Sequence, residues 1–251
     1  GTGSEVTSVA VITDTTKSVK LPFTSSFLLP NAAVIDPRMT LTLPPHITAA
    51  TAMDAMTHAT EAFTCMAKNP LSDAYATAAV KKISTSLLQV MDNPKDSDGR
   101  LELAQASTMA GIAFSNSMVG LVHALGHATG AICHLPHGLC MSLYLPYVLE
   151  YNLESIRAPL GELLLYLEGP DVYSATPASR RAEASISALR KLRDELHKRC
   201  KLPRTLKETG SVEEHQLDTI AEMAMDDGAM MFNPKEVSLE DARAVLKRAW
   251  A

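Results

Sequence analysis

Several features that mark other classes of protein are scarce in this 251-residue chain. It has four cysteines and no CxxC pair, so neither a disulfide-stabilised small domain nor a thiolate zinc site is expected. Lys and Arg total 23 against 28 Asp and Glu, and the net charge of −5 argues against a nucleic-acid partner. No apolar run approaches the ~18 to 20 residues of a membrane span, and no signal peptide is visible. We therefore expect a cytoplasmic protein with reduced thiols and no membrane attachment.

The apolar content is high enough for a real core, with 46% hydrophobic and 20% charged residues. Residues 6–35 have extended character, with β-rich runs at 9–12 and 32–35. After residue 40 the spacing of apolar residues becomes helical. It predicts helices at roughly 47–67, 71–91, 100–118, 120–132, 138–152, 155–166, 177–199, 212–226 and 238–248. The sequence therefore predicts a mainly α protein with a short β segment at its beginning.

Local signals mark some of these boundaries. Capping boxes are predicted at Ser211–Glu214 and Ser238–Asp241.

The chain begins with GTGSEVT, a glycine-containing loop with no Met and no structured element before it. We therefore expect the chain to be part of a longer protein.

The histidines are concentrated in one region. Six of the eight fall between positions 46 and 137, and four of these lie in the 15 residues from His123 to His137. His123 and His127 are spaced i, i+4, which places both side chains on one face of a helix. His137 stands between Pro136 and Gly138, a pattern typical of a helix start.

A second i, i+4 pair is formed by Asp54 and His58, among Ala, Met and Thr residues. A buried carboxylate costs several kcal/mol unless it is paired or bound to a metal. No Lys or Arg occurs between Arg38 and Lys68 to pair with Asp54 locally, although a distant Arg remains an alternative. One carboxylate with several imidazoles is a normal ligand set for Fe²⁺ or Zn²⁺. Isolated pairs of this kind are more often ordinary core residues, but two pairs and the Pro-His-Gly turn together favour a metal site.

Other catalytic architectures lack their motifs. The chain contains no HExxH, no ExxH, no His-Asp dipeptide, no GxSxG and no phosphate-binding P-loop. The opening Gly-Thr-Gly-Ser-Glu-Val has Val6 where a dinucleotide-binding GxGxxG motif needs its third glycine.

Five segments together resemble the iron-containing (group III) alcohol dehydrogenases. They are GTGSEVT at 1–7, IDPRMTLTLPP at 35–45, TAATAMDAMTHATEAF at 48–63, GLVHALGHATGAICHLPHG at 120–138 and DDGAMMFNPKEVSLEDA at 226–242. The resemblance implies a multi-helical metal-binding domain of the dehydroquinate synthase-like type over residues 41–251. Residues 1–40 would be the remnant of an α/β dinucleotide-binding domain whose main part, with its glycine-rich pyrophosphate loop, is missing.

The resemblance also implies a set of site residues. The family's metal ligands fall on Asp54, His58, His123 and His137. His127 matches a histidine near the nicotinamide that is discussed as a proton carrier. Cofactor contacts are implied at Thr2, Thr7 and Lys20. His134 departs from the family pattern, and the sequence leaves open whether it lies at the rim of the site or faces solvent.

The implied function is reversible hydride transfer between a small primary alcohol or aldehyde and NAD or NADP, with Fe²⁺ or Zn²⁺ as the metal, in a homo-oligomer. As a fragment, the chain is expected to be inactive alone. Two alternatives use the same ligands: a metal-dependent lyase of the dehydroquinate synthase type, and a non-enzymatic helical metal-binding module. The lack of a basic phosphate-binding cluster near the histidines argues against the lyase.

Overall fold

The computed structural model describes the backbone of residues 2–14 and 19–251 and the side chains of residues 2–12 and 23–251. The described chain is mainly helical, as the sequence predicted. Strands β1 (Val9–Asp14) and β2 (Val19–Thr24) pair in an antiparallel hairpin, with Val9 opposite Thr24. The strand predicted at 32–35 is wrong: this segment is irregular, it has no partner strand in the described part of the chain, and Val34 is 89% exposed.

The helices follow the hairpin and two short 3₁₀ turns, at Ser26–Leu28 and Pro37–Thr40. They are α1 (Pro45–Thr64), α2 (Pro70–Asp92), α3 (Ser97–Ser117), α4 (Leu121–Cys133), α5 (His137–Glu168), α6 (Pro170–Ala175), α7 (Arg181–Cys200), α8 (Leu217–Met225) and α9 (Leu239–Trp250). Within the described part of the chain, no single helix is long and apolar enough to span a membrane. Helices α3 and α4 together pass that test of length and composition, but they meet at a bend of 106°.

Helix α1 lies at the centre of the bundle. It packs against α2, α3 and α5, and almost every residue from Thr48 to Thr64 is buried. Its small Ala and Thr side chains allow three neighbours to approach, while Met53 and Met56 fill the space between them. Pro45 at its first turn needs no hydrogen-bond partner there and presets the helical φ angle. Any polar side chain on the middle of this helix is therefore forced into the core.

Helices α4 and α5 are separated by a three-residue connection. Helix α4 ends at Cys133, and the next residue, His134, adopts a left-handed conformation with φ 55° and has an exposed side chain. Pro136 precedes the first residue of α5, His137, as the Pro-His-Gly pattern predicted. The side chain at the start of α5 is thus held directly beside the end of α4.

Helix α5 is longer than predicted. The break expected between 152 and 155 is absent, because Asn152, Ile156 and Leu160 continue the buried face at helical spacing. Pro146 and Pro159 both lie inside this helix.

Of the two capping boxes predicted from the sequence, one is present and the other is not. The capping box at Ser238 is confirmed, because the Ser238 hydroxyl accepts from the Asp241 amide at 3.1 Å. The box predicted at Ser211 is wrong. The reciprocal bonds are instead made between Glu213 and Gln216, at a 3₁₀ turn that leads into α8.

The opening GTGSEVT loop packs directly on α3. Gly3 has φ +81°, and a Cβ atom there would lie 2.5 Å from the carbonyl oxygen of Ser107. A Cβ at Gly111 would similarly lie 2.6 Å from the oxygen of Gly3. Both positions require glycine because the two backbones touch. The Thr108 hydroxyl adds a 2.6 Å hydrogen bond to Glu5.

Candidate metal centre

Three helices bring the four predicted ligands together. Helix α1 contributes Asp54 and His58, the first turn of α4 contributes His123, and α5 contributes its first residue, His137. One ligand atom from each side chain can be chosen so that all four lie within 4.8 Å of one another. A metal with bonds of about 2.1 Å holds its ligand atoms roughly 3 to 4 Å apart, so small side-chain adjustments suffice.

The individual distances describe a compact group. Asp54 Oδ1 lies 3.3 Å from His137 Nε2, and Asp54 Oδ2 lies 3.8 Å from His58 Nδ1. The rings of His58 and His123 stack with their centroids 4.6 Å apart. Phe114 of α3 stacks on the other side of this group, 4.3 Å from the His58 ring. The aromatic ring leaves His58 little freedom to turn away from the group.

Buried atoms of this group lack hydrogen bonds. Among the described residues, both carboxylate oxygens of Asp54, Nδ1 of His58 and Nε2 of His123 are buried without a hydrogen-bond partner. Leaving such groups unsatisfied costs about 1 to 3 kcal/mol each, more for a charged group. All four atoms carry lone pairs that a divalent cation would accept. The donor set and its unsatisfied atoms therefore fit a divalent metal ion.

The electrostatics of the group also suit a cation. Burial acts to raise the pKa of Asp54, but the imidazoles of His58 and His137 outweigh it and lower that pKa to about 2. Burial lowers the pKa of His58 to about 3 and that of His123 well below its usual value. At neutral pH the group is thus one carboxylate with neutral imidazoles at His58 and His123, the protonation state that metal binding requires.

A second carboxylate, Glu61, contacts the group from outside. Its Oε2 lies 2.5 Å from Nδ1 of His123, and its Oε1 accepts a 2.8 Å hydrogen bond from the amide of Val122. Burial raises the pKa of Glu61 to about 7, although the Val122 amide acts to lower it. Glu61 was not predicted from the sequence. Like Asp54, it is an acidic residue on an apolar helix with no local cation, and this shared feature would have identified it.

His127 lies beside the four predicted ligands and faces a cleft. Its ring centroid is 5.2 Å from that of His137, and its Nδ1 is 2.8 Å from Oδ2 of Asp227. Asp227 Oδ1 accepts from the amide of Ala229 at 2.8 Å. The cleft has a volume of about 380 Å³ and is lined by His127, Ala128, Ala131, Thr219, Glu222, Met223, Asp226 and Asp227. The side chains of His127 and His137 are 19% and 31% exposed, so the group opens to solvent on this side. Asp227 was not predicted from the sequence, because its partner lies 100 residues away.

The predicted cofactor residues belong to the opening loop and to β2. Thr2 and Thr7 belong to the loop on α3; Thr2 is half-buried, and the buried Thr7 donates to the carbonyl of Val9 at 3.3 Å. The loop contacts α3 through Glu5 and Thr108, whereas the His58 ring contacts α3 through Phe114. Lys20 belongs to β2, but its side chain is outside the described residues.

The sequence matches a known protein family and several known alcohol dehydrogenases. The model of the Fe-containing alcohol dehydrogenase family, C-terminal part, matches residues 48–250. Alcohol dehydrogenase 4 of Saccharomyces cerevisiae is 36% identical over 252 residues, which cover 100% of this chain and 63% of that protein. The NAD-dependent methanol dehydrogenase of Bacillus methanolicus is also 36% identical, covering 99% of this chain and 64% of that protein.

Solved structures show the same similarity in three dimensions. A 1,3-propanediol oxidoreductase superposes with a TM-score of 0.93 at 33% identity, covering 100% of this chain and 64% of that one. The alcohol dehydrogenase of Oenococcus oeni gives a TM-score of 0.92 at 33% identity, covering 100% of this chain and 63% of that one. The chain thus spans a little under two thirds of the length of these relatives. The family match and the shared fold lead to one conclusion: the chain belongs to the family of iron-containing alcohol dehydrogenases.

Proposed function

We propose that this chain carries the metal-binding and catalytic part of an alcohol dehydrogenase that transfers a hydride between a small primary alcohol or aldehyde and NAD or NADP. The observation that carries the proposal is the group of one carboxylate and three imidazoles, with unsatisfied buried atoms, beside an open cleft. Relatives named NAD-dependent methanol dehydrogenase and NADPH-dependent butanol dehydrogenase support both the substrate class and the cofactor.

We divide the chain by the role of its residues. Residues 41–251 form the metal-binding part, because all four ligands lie on helices within this range. Residues 1–40 contribute to the dinucleotide side, through Thr2, Thr7 and Lys20. We propose that the rest of the dinucleotide site comes from outside this chain, which spans 63% of its relative in Saccharomyces cerevisiae.

The ligand set is Asp54, His58, His123 and His137, and Fe²⁺ is the metal that the family implies, with Zn²⁺ as the alternative. A divalent ion held there would supply a Lewis acid for the oxygen of the alcohol or aldehyde. The single carboxylate leaves a net charge of about +1 on such a site, which favours an oxygen that is becoming negative. Burial of the ligands keeps bulk water from competing on the core side.

His127 is proposed as the proton carrier. Its Nδ1 faces the Asp227 carboxylate, which keeps a proton on that nitrogen and leaves Nε2 as the atom that can exchange one. The ring is adjacent to His137 and also lines the solvent-facing cleft. It can therefore pass a proton between the substrate oxygen and water.

The two alternative functions have less support. A lyase of the dehydroquinate synthase type acts on an anionic substrate, but the cleft beside His127 is lined by Glu222, Asp226 and Asp227 and by no Lys or Arg of the described residues. A non-enzymatic metal-binding module needs neither the cleft nor the His127–Asp227 pair. We also propose that the protein is cytoplasmic, as expected from its few cysteines, and homo-oligomeric, as the family resemblance implies.

The test is an activity assay on the longest natural polypeptide that carries this chain, loaded with Fe²⁺. We expect NADH or NADPH formation with 1-propanol or 1,2-propanediol, and its loss when Asp54 is changed to Ala. A metal-loaded protein that turns over neither alcohol nor aldehyde with either cofactor would refute the proposed function.

A further inference from the structure

We propose that Glu61 is a positioning residue of the metal centre, which sets the tautomer of His123 and fixes the helix that carries it. The proposal rests on the metal site proposed above, and it concerns a residue outside the four ligands. Glu61 lies on α1, three residues after His58, and only 4% of it is exposed. Its two oxygens reach across to α4 in two different ways.

The first oxygen, Oε2, contacts the ring of His123. Glu61 Oε2 is 2.5 Å from Nδ1, while Nε2 of the same ring is the buried atom without a hydrogen-bond partner. When the Glu61 carboxylate is ionised it can only accept hydrogen bonds, so this contact then places the ring proton on Nδ1. Nε2 then carries a lone pair directed at the other ligands. A neutral imidazole has one such nitrogen, and its partner on the far side decides which one it is.

The second oxygen holds the beginning of α4. The residue before this helix is Gly120, which has no side chain to cap the first free amides. Glu61 Oε1 accepts from the Val122 amide at 2.8 Å, and Asn233 Oδ1 accepts from the Leu121 amide at 3.3 Å. A Cβ at Gly120 would lie 3.3 Å from Glu61 Oε1, so the glycine is also what allows the close approach. The capping groups therefore come from other parts of the fold.

Helix α1 consequently holds three of the four ligand positions. It supplies Asp54 and His58 directly, and through Glu61 it sets both the location and the protonation pattern of His123. A purely structural cap would need only one acceptor oxygen. The contact of Oε2 with the His123 ring is the feature that a capping role alone leaves unexplained.

Replacement of Glu61 by Gln removes one of the two contacts, because an amide has one acceptor and one donor. If its oxygen keeps the bond to the Val122 amide, its NH₂ group faces Nδ1 of His123. That nitrogen must then accept, so the proton moves to Nε2 and the lone pair for the metal is lost. If the amide is flipped, its NH₂ group opposes the Val122 N–H and the cap is lost instead. Neither arrangement reproduces both contacts.

The experiment measures Zn²⁺ affinity of the 251-residue chain at pH 8 by competition with a chromogenic chelator, together with the melting temperature of the metal-free chain. We expect Glu61→Gln to weaken Zn²⁺ binding about 10- to 100-fold. Thr64→Val is the matched control, because it changes a buried residue one turn further along α1 whose hydroxyl bonds only within the helix. We expect it to bind Zn²⁺ as the unaltered chain does.

Asn233→Ala weakens the beginning of α4 without removing the contact to the His123 ring. It removes the contact with the Leu121 amide, two bonds with Asn152 and one with the Lys235 carbonyl, so we expect a lower melting temperature but a smaller loss of Zn²⁺ affinity than in Glu61→Gln. Equal Zn²⁺ affinity in Glu61→Gln and the unaltered chain would overturn the role of Glu61 and leave the metal site standing. A chain that binds no Zn²⁺ at all would overturn the metal site as well.

The tautomer can be measured without any variant. Long-range ¹H–¹⁵N spectra of the Zn²⁺-loaded chain distinguish a protonated from a metal-bound imidazole nitrogen. We expect His123 to be protonated at Nδ1 and bound to zinc through Nε2. Zinc bound at Nδ1 of His123 would contradict the proposal regardless of how the variants fold.

Discussion

The tightest backbone contact beside the ligands predicts that Gly138→Ala damages the site without touching a ligand. Gly138 follows His137 at the start of α5, and a Cβ there would lie 2.5 Å from the carbonyl oxygen of Ala50 and 3.4 Å from Cβ of Asp54. The nearest atom belongs to the backbone of the buried helix α1, so it cannot rotate away. The start of α5 must therefore move outward, by about 0.5 Å or more, to relieve the contact.

The consequences can be estimated from this contact. Overpacking of a well-ordered interior costs about 1 to 3 kcal/mol. For a chain of this size each kcal/mol lowers the melting temperature by about 2 to 4 °C. The displacement also carries His137 away from Asp54, whose nearest atoms are 3.3 Å apart. A misplacement of about 1 Å in a site of fixed geometry can lower a reaction rate ~100-fold. We therefore expect the Zn²⁺ affinity to fall by roughly 10-fold or more.

Gly228→Ala is the matched control for this substitution. A Cβ at Gly228 meets nothing within 4 Å, and its φ angle is not in the left-handed region. We expect that variant to keep both the melting temperature and the Zn²⁺ affinity of the unaltered chain, measured by thermal denaturation and chelator competition. If Gly138→Ala retains both properties as well, the close packing of α5 on α1 does not hold His137 in place, and the reasoning is refuted.

Two further predictions concern the roles of His123 and His127 and the binding of NADH. His123→Ala should abolish stoichiometric metal binding, whereas His127→Ala should keep the metal and lower turnover or shift its pH profile in the active enzyme. Equal metal loss in the two variants would show that His127 is a ligand. The 251-residue chain alone should bind NADH more weakly than micromolar and turn over no propanol, because Thr2, Thr7 and Lys20 are its only expected contacts with a dinucleotide. Fluorescence titration with NADH measures this, and micromolar binding would contradict it.

The sequence predicted those parts of the molecule that depend on local spacing. Asp54 and His58 lie one turn apart on one helix, and an unpaired acid among Ala and Met residues pointed to a special role. The start of α5 at His137 followed from the proline and glycine around it. The bundle of helices followed from apolar periodicity, since most of these helices have one buried face.

The parts that the sequence did not predict depend on contacts between distant residues. Glu61 and His123 are 62 residues apart, and His127 and Asp227 are 100 apart, so no local pattern joins them. Residues 32–35 have β-forming side chains but no partner strand among the described residues, and strand formation requires one. The continuity of α5 past residue 152 likewise follows from the burial of Asn152, Ile156 and Leu160 against other parts of the fold.

The account depends most on the claim that Asp54, His58, His123 and His137 bind one divalent ion. Anomalous X-ray diffraction from crystals of the Zn²⁺-loaded chain, collected on either side of the zinc edge, tests this directly. We expect a single strong peak in the buried group, about 2.0 to 2.3 Å from one donor atom of each of the four side chains. A peak elsewhere, or a zinc ion that leaves one of these four side chains unbound, would contradict the account.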